Sequence, residues 1–169
     1  MCAALAGVGE HMPAEPDKLP DDLEPAKAAT PGAVLFICGM NSIRSPIAET
    51  LARGLLPSTV YIASAGVEKG EPDHFVDEVL AEVGLKRIST HPKTFEELED
   101  HYFDLIITLS PKAHHMALEL TRTTSVHVEY WPTPDPTLVR GRRSQILDAY
   151  RDVRDNLKHH IQERFNQAI

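Results

Sequence analysis

Ala33-Val-Leu-Phe-Ile-Cys-Gly-Met-Asn-Ser-Ile-Arg-Ser-Pro-Ile-Ala-Glu49 is the stretch on which the reading of this chain turns. Its first five residues form a short, continuous apolar run, the mark of a strand buried on both faces. A polar loop follows from Cys38. Ser45-Pro46 then reads as a helix start, with Ser as N-cap and Pro at the first helical position. Ile47, Ala48, Leu51, Ala52 and Leu55 recur at helical spacing. A buried strand, a tight loop and a helix in immediate succession predict a sheet covered by helices.

The remainder of the chain repeats the alternation. Residues 60–63 read as a second strand, ended by Ala65-Gly66. Residues 73–85 read as a helix with Phe75, Val76, Val79, Leu80 and Val83 on one face and Gly84 near its end. Thr94, with Glu97 three positions on, is a capping box that predicts a short helix over 94–101. Third and fourth strands are expected at 103–108 and 126–131, and further helices at 111–120 and 141–166. Strands alternating with helices imply an α/β fold with a parallel sheet and helices on both faces. Ligands of such sheets bind at the carboxyl ends of the strands, so the loop after the first strand is the first place to seek chemistry.

Residues 1–32 read differently. Pro13, Pro16, Pro20, Pro25 and Pro31 interrupt any helix, large apolar side chains are few, and half of the formal net charge of −8 falls here. The expectation is a disordered, Pro-rich acidic leader over 1–32 and one folded domain over 33–169. A chain of 169 residues has room for one ordinary domain. The acidic balance argues against nucleic acid or an anionic membrane as partner, and no apolar run is long enough to span a bilayer. Only two cysteines occur, Cys2 and Cys38, too few for a disulfide framework, which suggests a reducing, cytoplasmic setting. His114-His115 and His159-His160 are adjacent pairs on expected helices whose members point apart, so no metal site and no cofactor is expected.

The loop itself is Cys38-Gly39-Met40-Asn41-Ser42-Ile43-Arg44-Ser45. It has neither the Gly-Lys-Ser/Thr of a nucleotide-binding loop nor three spaced glycines. A tight loop between strand and helix turns several backbone N–H groups inward, and the helix N-terminus adds partial positive charge. Arg44 supplies a planar fork matching two oxygens of a phosphoryl group. An oxyanion cradle centred on the Cys38 sulfur results, one that favours a thiolate placed for in-line attack. Cleavage of a phosphate ester then needs an acid for the departing oxygen. The chain has one Asp-Pro pair, Asp135-Pro136, just after the fourth expected strand and hence at the same sheet edge. Taken alone, an Asp in the Pro132–Pro136 loop is as well explained as a turn residue.

Residues 34–49 resemble the signature of low-molecular-weight protein tyrosine phosphatases. The likeness continues through Ser64-Ala65-Gly66, His91, Phe103-Asp104-Leu-Ile-Ile107 and Asp135-Pro136, in family order. It implies a phosphatase-I-like sheet of strand order 2-1-3-4. It implies Cys38 as the nucleophile that becomes phosphorylated, and Arg44 binding the phosphoryl group with the loop residues Gly39, Met40, Asn41, Ser42, Ile43 and Ser45. Ser45 would hydrogen-bond the thiolate. Asn41 would hold the loop through a network including Ser64 and His91, and Asp135 would be general acid and then base. A phosphorylated protein, phosphotyrosine foremost, or a small phosphoester is the implied substrate, with phosphate as product.

The sequence departs from that pattern at several points. Ile43 stands where the family often has a second loop cysteine. Met40 replaces a common Gly, which raises the expectation of strain if the position takes positive φ. Ser42 lies nearer to the Thr of a phosphoarginine branch than to the Ile of phosphotyrosine enzymes. Thr137 replaces the aromatic residue that often follows Asp-Pro, leaving Tyr130, Trp131 or Phe75 as alternative pocket walls. Three alternatives therefore stand beside phosphotyrosine hydrolysis: a phosphoarginine phosphatase, a single-cysteine arsenate reductase and a non-catalytic phosphate-binding module. Arsenate reduction through two further cysteines is excluded, because none follows Cys38.

Overall fold

The computed structural model describes residues 30–166. The leader expected over 1–32 lies outside the described residues apart from 30–32, and Cys2 lies outside them as well. The described chain runs β1 (Ala33–Cys38), α1 (Arg44–Leu55), β2 (Tyr61–Gly66), α2 (His74–Ala81), β3 (Leu105–Thr108), α3 (Pro111–Leu120), β4 (His127–Tyr130) and α4 (Arg143–Phe165). Single 3₁₀ turns lie at Phe95–Glu97 and Pro136–Leu138. All strand pairs are parallel and the sheet order is β2-β1-β3-β4, the order implied by the resemblance.

The side-chain alternation of β1 divides the core. Val34, Phe36 and Cys38 face a cluster closed by α1, α2 and α4, with Ile47, Leu51, Val76, Val79, Leu157 and Ile161 among its buried members. Leu35 and Ile37 face the other side, against Ala113 and Ala117 of α3 and the buried Leu98 and Phe103. Both faces of β1 are thus dry, as its unbroken apolar run requires. The start of β1 is pinned by Asp104, whose carboxylate accepts from the N–H groups of Gly32 at 2.8 Å and Ala33 at 2.9 Å.

Several expected boundaries move for local reasons. The helix expected over 73–85 ends at Ala81, because Leu85 N–H turns back to Leu80 O and Gly84 N–H to Ala81 O, with Gly84 at φ 74°. This is a Schellman closure that glycine adopts without steric cost, and it leaves Val83 exposed rather than on the buried face. The helix expected over 94–101 is a single 3₁₀ turn. Its capping box does form, but Leu98 then goes extended and buries itself under the sheet. Asp73, inside the expected helix, is the N-cap of α2 and accepts from Phe75 N–H at 2.9 Å.

Parallel register brings the carboxyl ends of the strands to one edge: Cys38 pairs with Gly66, Ile37 with Thr108, and Thr108 with Tyr130. The loops after β1, β2 and β4 therefore meet there. No helix among the described residues is long and apolar enough to cross a membrane.

Candidate active site

The loop after β1 is shaped by its neighbour after β2. Cys38 O accepts from Val67 N–H at 3.1 Å, Gly39 O from Glu68 N–H at 2.9 Å, and Met40 O from Gly70 N–H at 3.0 Å. These bonds turn the loop carbonyls outward. Among the described residues, no backbone acceptor takes the N–H groups of residues 39–45. An unbroken run of donors beside a helix N-terminus is suited to a tetrahedral oxyanion. Such close zippering demands small residues opposite. A Cβ on Gly66 would lie 2.7 Å from Asn41 N and 2.8 Å from Met40 C, and one on Gly70 would meet Ser42 Oγ.

The sharp turn of the loop falls at Asn41, with φ 54°, not at Met40. The expected strain at Met40 is absent because the left-handed conformation sits on a residue that tolerates it. Asn41 is buried and ties the loop down in three directions. Its Nδ2 donates to Ser45 Oγ at 2.9 Å and to Ser64 Oγ at 3.0 Å, and its Oδ1 accepts from Lys93 N–H at 3.0 Å.

Ser45 is not a helix cap. The helix begins two residues earlier than expected, at Arg44, with Ile43 in the cap position and no side-chain cap bond. The Ser45 hydroxyl is used instead at the sulfur: Oγ lies 3.0 Å from Cys38 Sγ and 3.2 Å from Ala65 O. One hydroxyl proton cannot serve both. With a thiol, Cys38 donates to Ser45, which donates to Ala65 O; with a thiolate, the hydroxyl turns to the sulfur.

His91 does not join this network. It is exposed, with Nδ1 3.1 Å from Thr90 Oγ1 and its N–H donating to Ser89 Oγ at 3.2 Å. The second partner of the Ser64 hydroxyl is Glu49, which sequence reading missed. Glu49 is 4 % exposed, accepts from Ser64 Oγ, and accepts from Arg53 at 3.0 Å one helical turn on. Its signal was available: an acidic residue set among Ile47, Ala48, Leu51 and Ala52, with a cation four positions later.

Arg44 and Asp135 line the same cleft as Cys38. Arg44 Nη1 donates to Thr133 O at 3.0 Å, which draws the loop after β4 toward the cradle. Asp135 caps the Pro136–Leu138 turn, its Oδ1 accepting from Thr137 N–H at 2.9 Å and Thr137 Oγ1 at 2.6 Å. It is a turn residue, and it also lines a cleft of about 290 Å³ together with Cys38, Ser42 and Arg44. Glu71, unremarked in the sequence, and Asp73, expected only as the start of a helix, line the same cleft. The aromatic candidates for its walls lie elsewhere. Trp131 packs edge-on against Phe36 at 6.2 Å, Phe75 packs against Tyr150 at 5.2 Å, and Tyr130 stacks on His114 at 4.6 Å.

The chain belongs to the low molecular weight phosphotyrosine protein phosphatase family, whose model matches residues 33–168. Among curated relatives it is 30 % identical to an arsenate reductase of Staphylococcus aureus over 132 residues, covering 76 % of this chain and 92 % of the relative. Among solved structures, the tyrosine phosphatase AmsI of Erwinia amylovora superposes with a TM-score of 0.66 at 22 % identity. That match covers 82 % of this chain and 94 % of AmsI. A Drosophila arginine phosphatase superposes with a TM-score of 0.60, also at 22 % identity, over 78 % of this chain and 96 % of that one. At that identity the two structures establish the shared fold.

Proposed function

We propose that the chain is a cysteine-dependent phosphatase that cleaves phosphoryl groups from phosphorylated substrates through a phosphocysteine on Cys38. The observation that carries this reading is the run of N–H groups over 39–45 that no backbone acceptor takes, in the loop that begins at the buried Cys38 and ends at Arg44, both of which line one cleft. Three equatorial oxygens of a phosphoryl group in transfer take their hydrogen bonds from these amides and from the Arg44 fork. Cys38 attacks in line; the S–P bond forms as the bond to the leaving atom breaks. Asp135 gives its proton to the leaving atom and then takes one from the water that hydrolyses the phosphocysteine, releasing phosphate and restoring the thiolate.

The phosphotyrosine expectation has less support within the cleft than the chemistry has. A phenyl ring gains from aromatic or aliphatic walls, and beyond the Cys38 loop this cleft presents Glu71, Asp73, Asp135 and Thr137. A second reading, reduction of arsenate, is favoured by the named relatives. Arsenate is also a tetrahedral oxyanion, and with no cysteine after Cys38 the reducing electrons would come from an external thiol of the glutathione kind.

A nitrophenyl phosphate assay beside an arsenate-dependent thiol-oxidation assay tests the proposal. Phosphate release lost in Cys38→Ser supports it. Thiol oxidation without phosphate release supports the reductase. Phosphate binding with neither activity identifies a binding module.

A further inference from the structure

We infer that the cleft accepts a phosphorylated group carrying positive charge beside its phosphoryl unit, read by Glu71 and Asp73. The inference rests on the phosphatase reading and specifies its substrate class. The phosphoryl cradle fixes where the anionic end of the substrate sits, so the group that bears it must pass the remaining wall of the same cleft. Beyond the Cys38 loop the lining is Glu71, Asp73, Asp135 and Thr137, so with Asp135 assigned to proton transfer two carboxylates are left to meet that group.

The lack of an ion pair sets them apart from several nearby glutamates. Glu68 pairs with Lys112, Glu78 with Arg143, Glu82 with Arg151 and Arg154, and Glu97 with Lys69. Among the described residues Glu71 and Asp73 have no cationic partner. Asp73 is nonetheless rigidly held, its Oδ1 accepting from Phe75 N–H at 2.9 Å and its Oδ2 from the buried Tyr150 hydroxyl at 2.7 Å. A neutral ring beside these carboxylates would strip their hydration without return, and an anionic flank would be repelled. A guanidinium or ammonium gains charge-assisted hydrogen bonds.

The cation has two possible sources. In an N-phosphorylated guanidine it is the leaving group itself: Cys38 forms the S–P bond, the P–N bond breaks, and the Asp135 proton goes to the departing nitrogen. In a peptide it is a basic side chain adjoining the phosphorylated residue.

Three peptides of equal length separate these sources: one with phosphoarginine, one with phosphotyrosine flanked by Arg, and one with phosphotyrosine flanked by Gly. The ratio of kcat/KM for each cationic peptide to that for the neutral one is measured for the wild type, Glu71→Gln, Asp73→Asn and the double variant. Asn at 73 retains an acceptor for the α2 cap. The wild type is expected to favour at least one cationic peptide by about fivefold to tenfold. That ratio should fall toward one in the double variant and in high salt. A preference for phosphoarginine assigns the cation to the leaving group, and a preference for the Arg-flanked peptide assigns it to the neighbour. Cys38-dependent hydrolysis of all three at equal rates, or a preference that neither substitution moves, overturns the inference alone. No Cys38-dependent hydrolysis of any peptide overturns the phosphatase reading and the inference with it.

Discussion

The Arg44 guanidinium donates to the carbonyl oxygen of Thr133 at 3.0 Å, fastening the first residue of α1 to the loop that carries Asp135. One guanidinium nitrogen thus ties down the loop of Asp135, and Arg44 also lines the cleft. Arg44→Lys keeps the charge and loses the fork. Its kcat is expected to fall by about 10²–10³-fold, the range for losing a preorganised transition-state donor, with little change in melting temperature. Steady-state kinetics beside a thermal melt reads both; an active Lys variant would show that the fork is dispensable.

Asp135→Asn keeps the oxygen that caps the Pro136–Leu138 turn and removes the transferable proton. Hydrolysis of a substrate with a poor leaving group should slow by about 10²–10⁴-fold. Nitrophenyl phosphate, whose leaving group departs without a proton, should slow far less. Equal slowing for both would argue against proton donation by Asp135.

Asn41 combines a positive φ with bonds to Ser45, Ser64 and Lys93. Asn41→Ala loses those bonds and puts an ordinary side chain in left-handed backbone, so a loss of about 2–4 kcal/mol is expected in urea unfolding. Asn41→Gly recovers the backbone part alone, and its stability should fall between the two. Equal stability of the Ala and Gly variants would place the whole effect in the hydrogen bonds.

Gly70→Ala places a methyl group against Ser42 Oγ and within 2.9 Å of Met40 Cβ. The loop after β1 must shift to admit it, so KM for a phosphorylated substrate and the Ki for inorganic phosphate should both rise while the fold persists. Unchanged phosphate affinity would show that the zipper between the two loops tolerates slack.

The Arg151 side chain, and with it Arg154, holds the Glu82 carboxyl down to about 2 from an ordinary value of 4.5. A carboxyl lowered on folding contributes stability that is complete above its unfolded value and is lost as pH falls toward its folded value. Stability should therefore decline between about pH 4.5 and pH 2, and Glu82→Gln should flatten that part of the profile. Denaturant unfolding across this range provides the measurement; an unaltered slope in the variant would exclude Glu82 as a contributor.

The sheet and the central loop were legible because they rest on local signals. The apolar run before Cys38, the helical spacing after it and the Asp135-Pro136 pair all survive in the structure. What escaped depends on which loops touch. Ser45 looked like a cap because Ser before Pro usually is one, yet the Cys38 sulfur and Ala65 O claim its hydroxyl. His91 was expected beside Asn41, but the Lys93 backbone N–H occupies that acceptor. Glu49 was hidden because a buried charge declares itself only once Ser64 and Arg53 are seen around it. Glu71 drew no notice in the sequence and Asp73 only began an expected helix, until the fold set both in the cleft that Asp135 also lines.

Acid-quenching the enzyme during turnover, followed by peptide mass analysis, is the most direct test of phosphoryl transfer to Cys38. One added phosphoryl group is expected on the peptide containing Cys38, and with nitrophenyl phosphate as substrate it should accumulate further in Asp135→Asn, which lacks the base for hydrolysis of the intermediate. Cys38→Ser should show no turnover while still binding phosphate or vanadate. Near-normal turnover by Cys38→Ser, or a phosphoryl group trapped on another residue, would contradict it.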